Sequence, residues 1–522
     1  MFRREFVYGA ALAGLGAGLP ARSAQQKIVL PPIVYDVRAF GAVGDGARLD
    51  TAAIQGAVDA CARAGGGIIF FSPGTYLSGT IFMRSHVGLH LSAGATLLGS
   101  TNLADYHPTT PAFQAYTAPY TDKYLIYGER LENIFIEGHG VLDGQGAAFE
   151  RKPTGRPYLL RFSECRNVSV RDITLRNSGM WVQHYLACTG VQLQGLQVHS
   201  HANANNDGID IDGCEQVCIS DCLIDSGDDA LVLKSAGNRV CRDVTITNCV
   251  LQSDCNAIKT GTESNGGFAD IAISNCVIHN TRLAGLALEV VDGGTLDGVT
   301  VSNLTMRGVG APIFIRLGNR ARPISPGKAN PGMGSLRNVS IRDVQCTGAD
   351  RIGCAIAGLP GYPIHDLTLS NIHLAFAGGG RRADADRTVL ENPEAYPEFN
   401  MFGALPAYAL YCRHIAGLRL HNVQTSFQQI DERPGVICED VNNLDVFDAD
   451  LAQVSGGGPA IILRNVRQAM IHGCHLAASL EAYLRVTGQG SEGINLVAND
   501  LRRAKKPADL AADVPHDAVT VS

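Results

Sequence analysis

Tryptophan is nearly absent from this chain of 522 residues, which contains one, and aromatic residues make up only 6% of it. Basic residues are also few relative to acidic ones, with a formal net charge of -7 and a pI near 6.1. A chain without a basic excess is poorly suited to binding phosphate backbones, so we expect no nucleic-acid partner. Beyond the N-terminus there is no apolar run long enough to cross a bilayer, so we expect no stable membrane association.

Glycine, by contrast, is abundant at 59 residues. Together with the scarcity of tryptophan, this composition suits tight turns between short strands better than long helices. Composition therefore favours an all-β fold.

The first residues, "MFRREFVYGAALAGLGAGLPARSA", resemble an export signal of the twin-arginine type, with Arg3 and Arg4 before a short apolar stretch. The alternative, a membrane anchor, needs roughly 20 apolar residues, whereas this run has about 13. We therefore expect a signal over residues 1–24, cleavage between Ala21 and Gln25, and a periplasmic or secreted protein.

A short strand–turn–strand pattern recurs from residue 167 onward, and its copies are "NVSVRDI", "GVQLQGL", "QVCISDC", "DVTITNC", "DIAISNC", "GVTVSNL", "NVSIRDV", "DLTLSNI", "GLRLHNV", "NLDVFDA" and "QAMIHGC". Their final position alternates between cysteine and aliphatic residues, which indicates a buried column rather than disulfides. The preceding Asn, Asp or Gly is of the type that accepts a left-handed turn. We therefore interpret most of the fifteen cysteines as core residues.

Many successive copies are about 23 to 28 residues apart, a period typical of solenoids. Short strands without comparable helices between them favour a parallel β-helix over a leucine-rich repeat or a propeller. The segment "DTAAIQGAVDACARAGGG" predicts an N-terminal capping helix that begins at Asp50 or Thr51 and stops at Gly65. We divide the chain into the signal, an N-terminal cap with the first coils (25–110), the main parallel β-helix (111–505) with an inserted loop (378–414), and a C-terminal tail (506–522).

Carboxylates are concentrated in "NNDGIDIDGC" (205–214) and "SGDDALVLKS" (226–235). Aligning the apolar residues of successive coils (Ile209, Leu231, Ile258, Leu288, Ile315) places Asp207, Asp229 and Asn256 in one column. The same alignment gives a neighbouring outward column of Asp210, Val232, Lys259, Glu289 and Arg316. We expect these ionisable groups on one exposed strip, with Asp212 at its edge.

Two carboxyl groups about 6.5 to 9.5 Å apart can hydrolyse a glycosidic bond with inversion. Asp207 and Asp228 lie about one coil apart, and the crowding of Asp228 against Asp229 should raise one pKa and retain a proton for donation. The structural alternative is that such aspartates satisfy backbone N–H groups at turns, a task that needs one residue per turn rather than a cluster.

These segments resemble glycoside hydrolase family 28, the polygalacturonase-like enzymes: "NNDGID", which begins at Asn205, fits N-x-D-G-x-D, and "GDD" fits the paired aspartates. The resemblance extends from "YDVRAFGAVGDG" through "RPYLLRFSECRNVSV" to "LPAYALYCRH". It implies a right-handed parallel β-helix and inverting hydrolysis of a pectic polysaccharide or oligosaccharide. Asp228 would be the general acid, Asp207 and Asp229 would place the water, and no metal or organic cofactor is implied.

The chain departs from the family where G-H-G and R-I-K are expected, since Asn256 replaces the histidine and Ala287 and Glu289 replace the arginine and lysine. Lys259 or Arg316 could bind the substrate carboxylate instead. Alternatively, Lys259 and Glu289 form an ion pair that merely ties two coils together.

Trp181 and His184, one coil before Asp207, are further candidates for sugar contacts, with core packing as the alternative for the tryptophan. Two other functions stay open. A polysaccharide lyase would require a cation and release unsaturated products, and a non-catalytic glycan-binding solenoid would show binding without turnover.

Overall fold

The computed structural model describes residues 33–522, so the predicted export signal lies outside the described residues. The N-terminal strands are Val34–Asp36 (β1), Asp45–Leu49 (β2), Gly67–Phe71 (β3), Gly74–Ser78 (β4), Ile81–Phe82 (β5), Val87–Leu91 (β6), Ala95–Gly99 (β7), Tyr124–Glu129 (β8), Glu132–Gly138 (β9) and Val141–Asp143 (β10). The central strands are Tyr158–Ser163 (β11), Arg166–Arg171 (β12), Thr174–Arg176 (β13), Gln183–Leu186 (β14), Thr189–Gln194 (β15), Gln197–Ser200 (β16), Ile209–Asp212 (β17), Glu215–Ser220 (β18), Leu223–Ser226 (β19), Leu231–Ser235 (β20), Cys241–Thr247 (β21), Val250–Ser253 (β22) and Ile258–Ser264 (β23).

The C-terminal coils contain Phe268–Val290 (β24), Thr295–Leu317 (β25), Ser335–Ala349 (β26), Cys354–Ala357 (β27), Ile364–Gly378 (β28), Leu410–Gln429 (β29), Val436–Phe447 (β30), Asp450–Leu451 (β31), Ile461–Arg464 (β32), Arg467–His472 (β33), Leu480–Thr487 (β34), Glu492–Val497 (β35), Ala504–Leu510 (β36) and Val519–Val521 (β37). Short 3-10 helices lie at Val37–Phe40, Leu103–Asp105, Ala118–Tyr120, Gly146–Ala148 and Arg382–Asp386. Among the described residues, no helix has the length and apolar character needed to cross a membrane.

The strands form three parallel ladders, one along each face of a coil. One ladder, which we call the site sheet, consists of β8, β11, β14, β17, β20 and β23. Strand β24 pairs with β21, β22 and β23. This one strand therefore runs along all three faces of a coil. The predicted right-handed parallel β-helix is confirmed.

The repeated turns have the predicted backbone conformation. The residue before the buried column has a positive φ in every copy: Asp172, Gly195, Asp221, Asn248, Asn275, Asn303, Asp343, Asn371, Asn422, Asp448 and Gly473. The column itself is buried, and Cys222, Cys249 and Cys276 in three successive coils are at most 1% exposed. None of the fifteen cysteines, all of which lie in the described part of the chain, forms a disulfide. The core interpretation of these thiols is therefore confirmed.

The predicted capping helix is α1, Thr51–Arg63, whose buried face includes Ile54, Val58 and Cys61. Asp50 precedes the helix but does not cap it with its side chain. Its carboxylate instead accepts hydrogen bonds from the N–H groups of Val43 and Gly44, 2.8 and 2.9 Å away. The helix position was thus predictable, whereas the role of Asp50 in ordering the preceding loop was not.

Two boundaries differ from the sequence expectations. The inserted segment runs from 379 to 409, because β28 ends at Gly378 and β29 already begins at Leu410. Residues 506–522, expected to form a tail, contribute to β36 and β37, which pair with β34 and β35. The ladders therefore continue into the last residues of the chain.

Candidate active site

The site sheet brings the predicted carboxylates together. Ile209 pairs with Leu231, and Leu231 pairs with Ile258, so Asp207, Asp229 and Asn256 occupy one column as expected. Because adjacent strands are about 4.8 Å apart, side chains in such a column touch. The N–H and Nδ2 groups of Asn256 both donate to Oδ1 of Asp229, at 3.0 and 2.9 Å.

Asp228 lines an open cavity of about 640 Å³, together with Asn205, Arg151 and Arg282. Its Oδ1 accepts a hydrogen bond from the N–H of Asp229 at 3.0 Å, and its Oδ2 lies 3.4 Å from Nδ2 of Asn205. Burial, followed by the charge of Asp229, raises the pKa of the Asp228 carboxyl. A carboxyl group whose pKa is raised therefore faces the cavity.

The pKa of Asp229 is shifted downward, opposite to that of Asp228, although Asp229 is only 5% exposed. Burial by itself would raise its pKa, but the ammonium groups of Lys259 and Lys234 and the hydrogen bonds from Asn256 outweigh that cost and lower it. Nζ of Lys259 is 3.3 Å from Oδ2 of Asp229. The pKa values of two adjacent aspartates are thus shifted in opposite directions.

Lys234 is a central residue of the site that the sequence interpretation missed. Its Nζ lies 3.9 Å from Asp207, 3.6 Å from Asp210 and 3.4 Å from Glu263. Burial and the neighbouring aspartates raise the pKa of Asp207 and Asp210 well above the usual range. Lys234 lies opposite Asp212 in the register. Because side chains alternate along β20, the sequence could have placed Lys234 on the same outward face as Asp210 and Asp212.

The segment 379–409 adds a further carboxylate, Glu398, which lies far from the motifs in sequence. Its Oε1 is 3.6 Å from Nζ of Lys259, and its Oε2 is 3.3 Å from Nδ2 of Asn256. The ring of Tyr396, from the same segment, has its centroid 5.4 Å from Nζ of Lys259. This segment therefore forms one wall of the site.

The expected exposed strip is in fact buried. Asp210, Glu289 and Asp212 are fully buried, and Lys259 and Arg316 are each 1% exposed. The reason is that loops cover the outward face of the site sheet. Thr117, from the loop before β8, donates to Oδ2 of Asp212, which places Asp212 inside rather than at an edge.

The comparison with known families decides the chain's membership. Residues 84–390, more than half of the chain, match the family model described as "Glycosyl hydrolases family 28". The chain belongs to this family.

Relatives of the chain carry names from the same family. A probable polygalacturonase of Vitis vinifera is 32% identical over 213 residues, covering 38% of this chain and 43% of that protein. An exo-poly-alpha-D-galacturonosidase of Dickeya chrysanthemi is 26% identical over 254 residues, covering 38% of this chain and 42% of that protein. The chain thus spans less than half the length of these relatives.

Among solved structures, the hyperthermoactive exopolygalacturonase of Thermotoga maritima aligns with a TM-score of 0.59 at 22% identity. The alignment covers 67% of this chain and 88% of that chain. At this level of identity, the likeness shows the shared fold.

Within this family 28 fold, the register beyond β23 differs from our sequence alignment by two residues. Ile258 pairs with Leu286 rather than Leu288, so Lys259 lies opposite Ala287. A slip of two residues preserves the inward and outward alternation, which is why the hydrophobic pattern did not reveal it. Glu289 does lie opposite Arg316, as expected.

Neither Lys259 nor Arg316 is free to bind a substrate carboxylate. Nζ of Lys259 is 3.7 Å from Oε2 of Glu289, so the ion pair between coils exists in the structure. Arg316 donates to the backbone carbonyl of Gly358 at 3.1 Å and to that of Glu391 at 2.6 Å. Its guanidinium therefore holds the segment 379–409 against the coils.

Trp181 and His184 are also in the interior. Trp181 is 4% exposed and stacks on Tyr158, with ring centroids 5.3 Å apart. Nε2 of His184 lies 3.3 Å from Oδ2 of Asp212, and burial, together with the charge of Arg161, lowers the pKa of His184 to about 4. The aromatic cluster beneath the loops encloses both side chains, which favours core packing over direct contact with a sugar.

Proposed function

We propose that this chain is a glycoside hydrolase that cleaves glycosidic bonds in a pectic polysaccharide or oligosaccharide, by an inverting acid/base mechanism. The observation that carries the proposal is the contrast between Asp228, which lines the open cavity, and the adjacent, buried Asp229. The first has a raised pKa and the second a lowered one. Membership of family 28 supports the same reaction class.

In the proposed reaction, Asp228 donates its proton to the glycosidic oxygen as the bond from that oxygen to the anomeric carbon breaks. A water molecule attacks the same carbon from the opposite face. Asp229 accepts a proton from this water, and Asp207 helps to orient it. The products are a reducing sugar of inverted configuration and a free hydroxyl on the leaving group.

We propose an acidic substrate, because the names of the relatives specify galacturonate polymers and because two guanidinium groups, Arg151 and Arg282, line the cavity beside Asp228. Ala287 and Glu289 replace the arginine and lysine expected at the substrate carboxylate. A branched or rhamnose-containing pectin is therefore the preferred substrate, rather than plain polygalacturonate. Export to the periplasm or medium is part of this proposal.

The test is to incubate the full chain with defined pectic polymers and oligosaccharides and to follow product size and anomeric configuration by NMR. Inverting hydrolysis predicts saturated products whose new reducing end has the inverted anomeric configuration before mutarotation. Unsaturated products that absorb in the ultraviolet would instead support a lyase. Binding without turnover would support a glycan-binding solenoid.

A further inference from the structure

Outside the catalytic carboxylates, His199, His201 and Asp225 form a cluster, and His201 also lines the cavity. Nδ1 of His199 lies 2.9 Å from Oδ2 of Asp225, and Nε2 of His201 lies 2.7 Å from Oδ1 of the same residue. One potential ligand atom from each of the three residues lies within 4.8 Å of the other two. The backbone sets part of this geometry, because His199 and Asp225 are direct partners in the ladder of β16 and β19.

His201 faces carboxylates on both sides of its ring. Its Nδ1 is 3.0 Å from Oδ2 of Asp254, while its Nε2 faces Asp225. A neutral imidazole has one N–H and can donate only one of these two hydrogen bonds. The cluster is therefore complete only with an added positive charge, either a second proton on the ring or a cation between the ring and a carboxylate.

A second histidine–aspartate–histidine group shows what an ordinary surface arrangement looks like in this fold. Nε2 of His421 and Nε2 of His472 each lie 3.0 Å from a different oxygen of Asp445. These histidines belong to β29 and β33, on opposite sides of the strand that carries Asp445. Their rings are thus two coils apart, whereas His199 and His201 come from one coil and approach Asp225 from the same side.

We propose that His199, His201 and Asp225 bind a divalent transition-metal ion such as Zn²⁺ at Nε2 of His201, while Nδ1–H of the same ring donates to Asp254 and fixes its orientation. Imidazole nitrogen combined with carboxylate oxygen suits Zn²⁺ and its neighbours in the transition series, whereas Mg²⁺ and Ca²⁺ prefer oxygen ligands alone. His201 and Asp254 line the same cavity as Asp228. A bound ion would therefore hold two segments of the cavity wall together and add positive charge there, although the family resemblance implies no metal.

The test is calorimetric titration of the chelator-treated full chain with ZnCl₂ at neutral pH, in the absence of any substrate. We expect one ion to bind per chain, and we expect His201→Ala and Asp225→Asn each to weaken binding by at least about tenfold, since each removes a ligand. His421→Ala is the matched control and should bind Zn²⁺ like the native chain. Zn²⁺ should also raise the melting temperature of the native chain but not that of His201→Ala, while Mg²⁺ should have no effect.

The proposal is wrong if the native chain binds no Zn²⁺, or if His199→Ala and His201→Ala bind it as well as the native chain. Asp228, Asp229 and Cys255 also bring three potential ligand atoms within 4.8 Å of one another, so Cys255→Ser is a necessary second control. Loss of binding in Cys255→Ser, with binding retained in His201→Ala, would place the ion at the catalytic pair and overturn the proposal. Circular dichroism of every variant separates ligand loss from misfolding.

Discussion

The ammonium group of Lys259 lies 3.3 Å from the carboxylate of Asp229, and both side chains are buried. Because this ammonium lowers the pKa of Asp229, we expect Lys259→Met to raise it again. Asp229 would then be protonated over a wider acidic range, and the acid limb of the pH profile of kcat/KM would move to higher pH. Measuring that profile checks the prediction, and an acid limb that stays in place would contradict it.

Asp207, Asp228 and Asp229 should act as one unit. Asparagine keeps the shape of each side chain but cannot exchange the proton, so each single Asp→Asn change should reduce turnover by about 10²- to 10⁴-fold with the fold intact. A double variant should be little worse than the poorer single one.

The matched control is Asp221→Asn, because Asp221 has a left-handed conformation that asparagine also accepts. It should retain native turnover. If Asp228→Asn keeps more than about a tenth of native activity, Asp228 is not the general acid.

Plain polygalacturonate should be a poor substrate relative to a branched or rhamnose-containing pectic fragment. Lys259 is paired with Asp229 and Glu289, so its ammonium group is not free to bind the carboxylate of a uronate. Comparing kcat/KM for the two substrate classes is decisive. Equally efficient cleavage of unbranched polygalacturonate would mean that another cation, such as Arg282 on the cavity wall, binds the carboxylate.

Cys222→Val, Cys249→Val and Cys276→Val should each be tolerated. These thiols lie in a buried column that holds leucine, valine and isoleucine in other coils, so the column accepts larger side chains; each change is close in volume and should cost less than about 1.5 kcal/mol. Thermal or denaturant unfolding measures the cost. A larger loss at any of the three would show that the thiol has a role beyond packing.

Arg316→Leu should release the segment 379–409 from the coils. The guanidinium donates to backbone carbonyls at Gly358 and Glu391, and its loss leaves buried acceptors unpaired at a cost of about 1 to 3 kcal/mol. We expect faster limited proteolysis within the segment and a higher KM, because Tyr396 and Glu398 lose their fixed positions. Arg307→Leu, at an exposed position of β25, is the control. It should change neither the rate of proteolysis within the segment nor the KM.

The sequence predicted the coils well because a coil is a local structure. The repeated turn residues and the alternating apolar positions specify the strands, and the adjacency of Asp207, Asp229 and Asn256 follows from three consecutive coils. What the pattern could not supply was the register beyond Ile258, since a slip of two residues leaves the alternation unchanged. It also could not supply Glu398, which reaches the site from a segment without periodicity.

The segment 379–409 is fixed at both ends by ladder pairing: Gly378 pairs with Gln429, and Leu410 pairs with both Cys354 and Val436. Its length and sequence can therefore vary without displacing the aspartates on the site sheet. A change of this segment would alter the wall formed by Tyr396 and Glu398, while the strand register of the site sheet stays the same. One wall of the site and the sheet that holds Asp207 and Asp229 are thus separate parts of the fold.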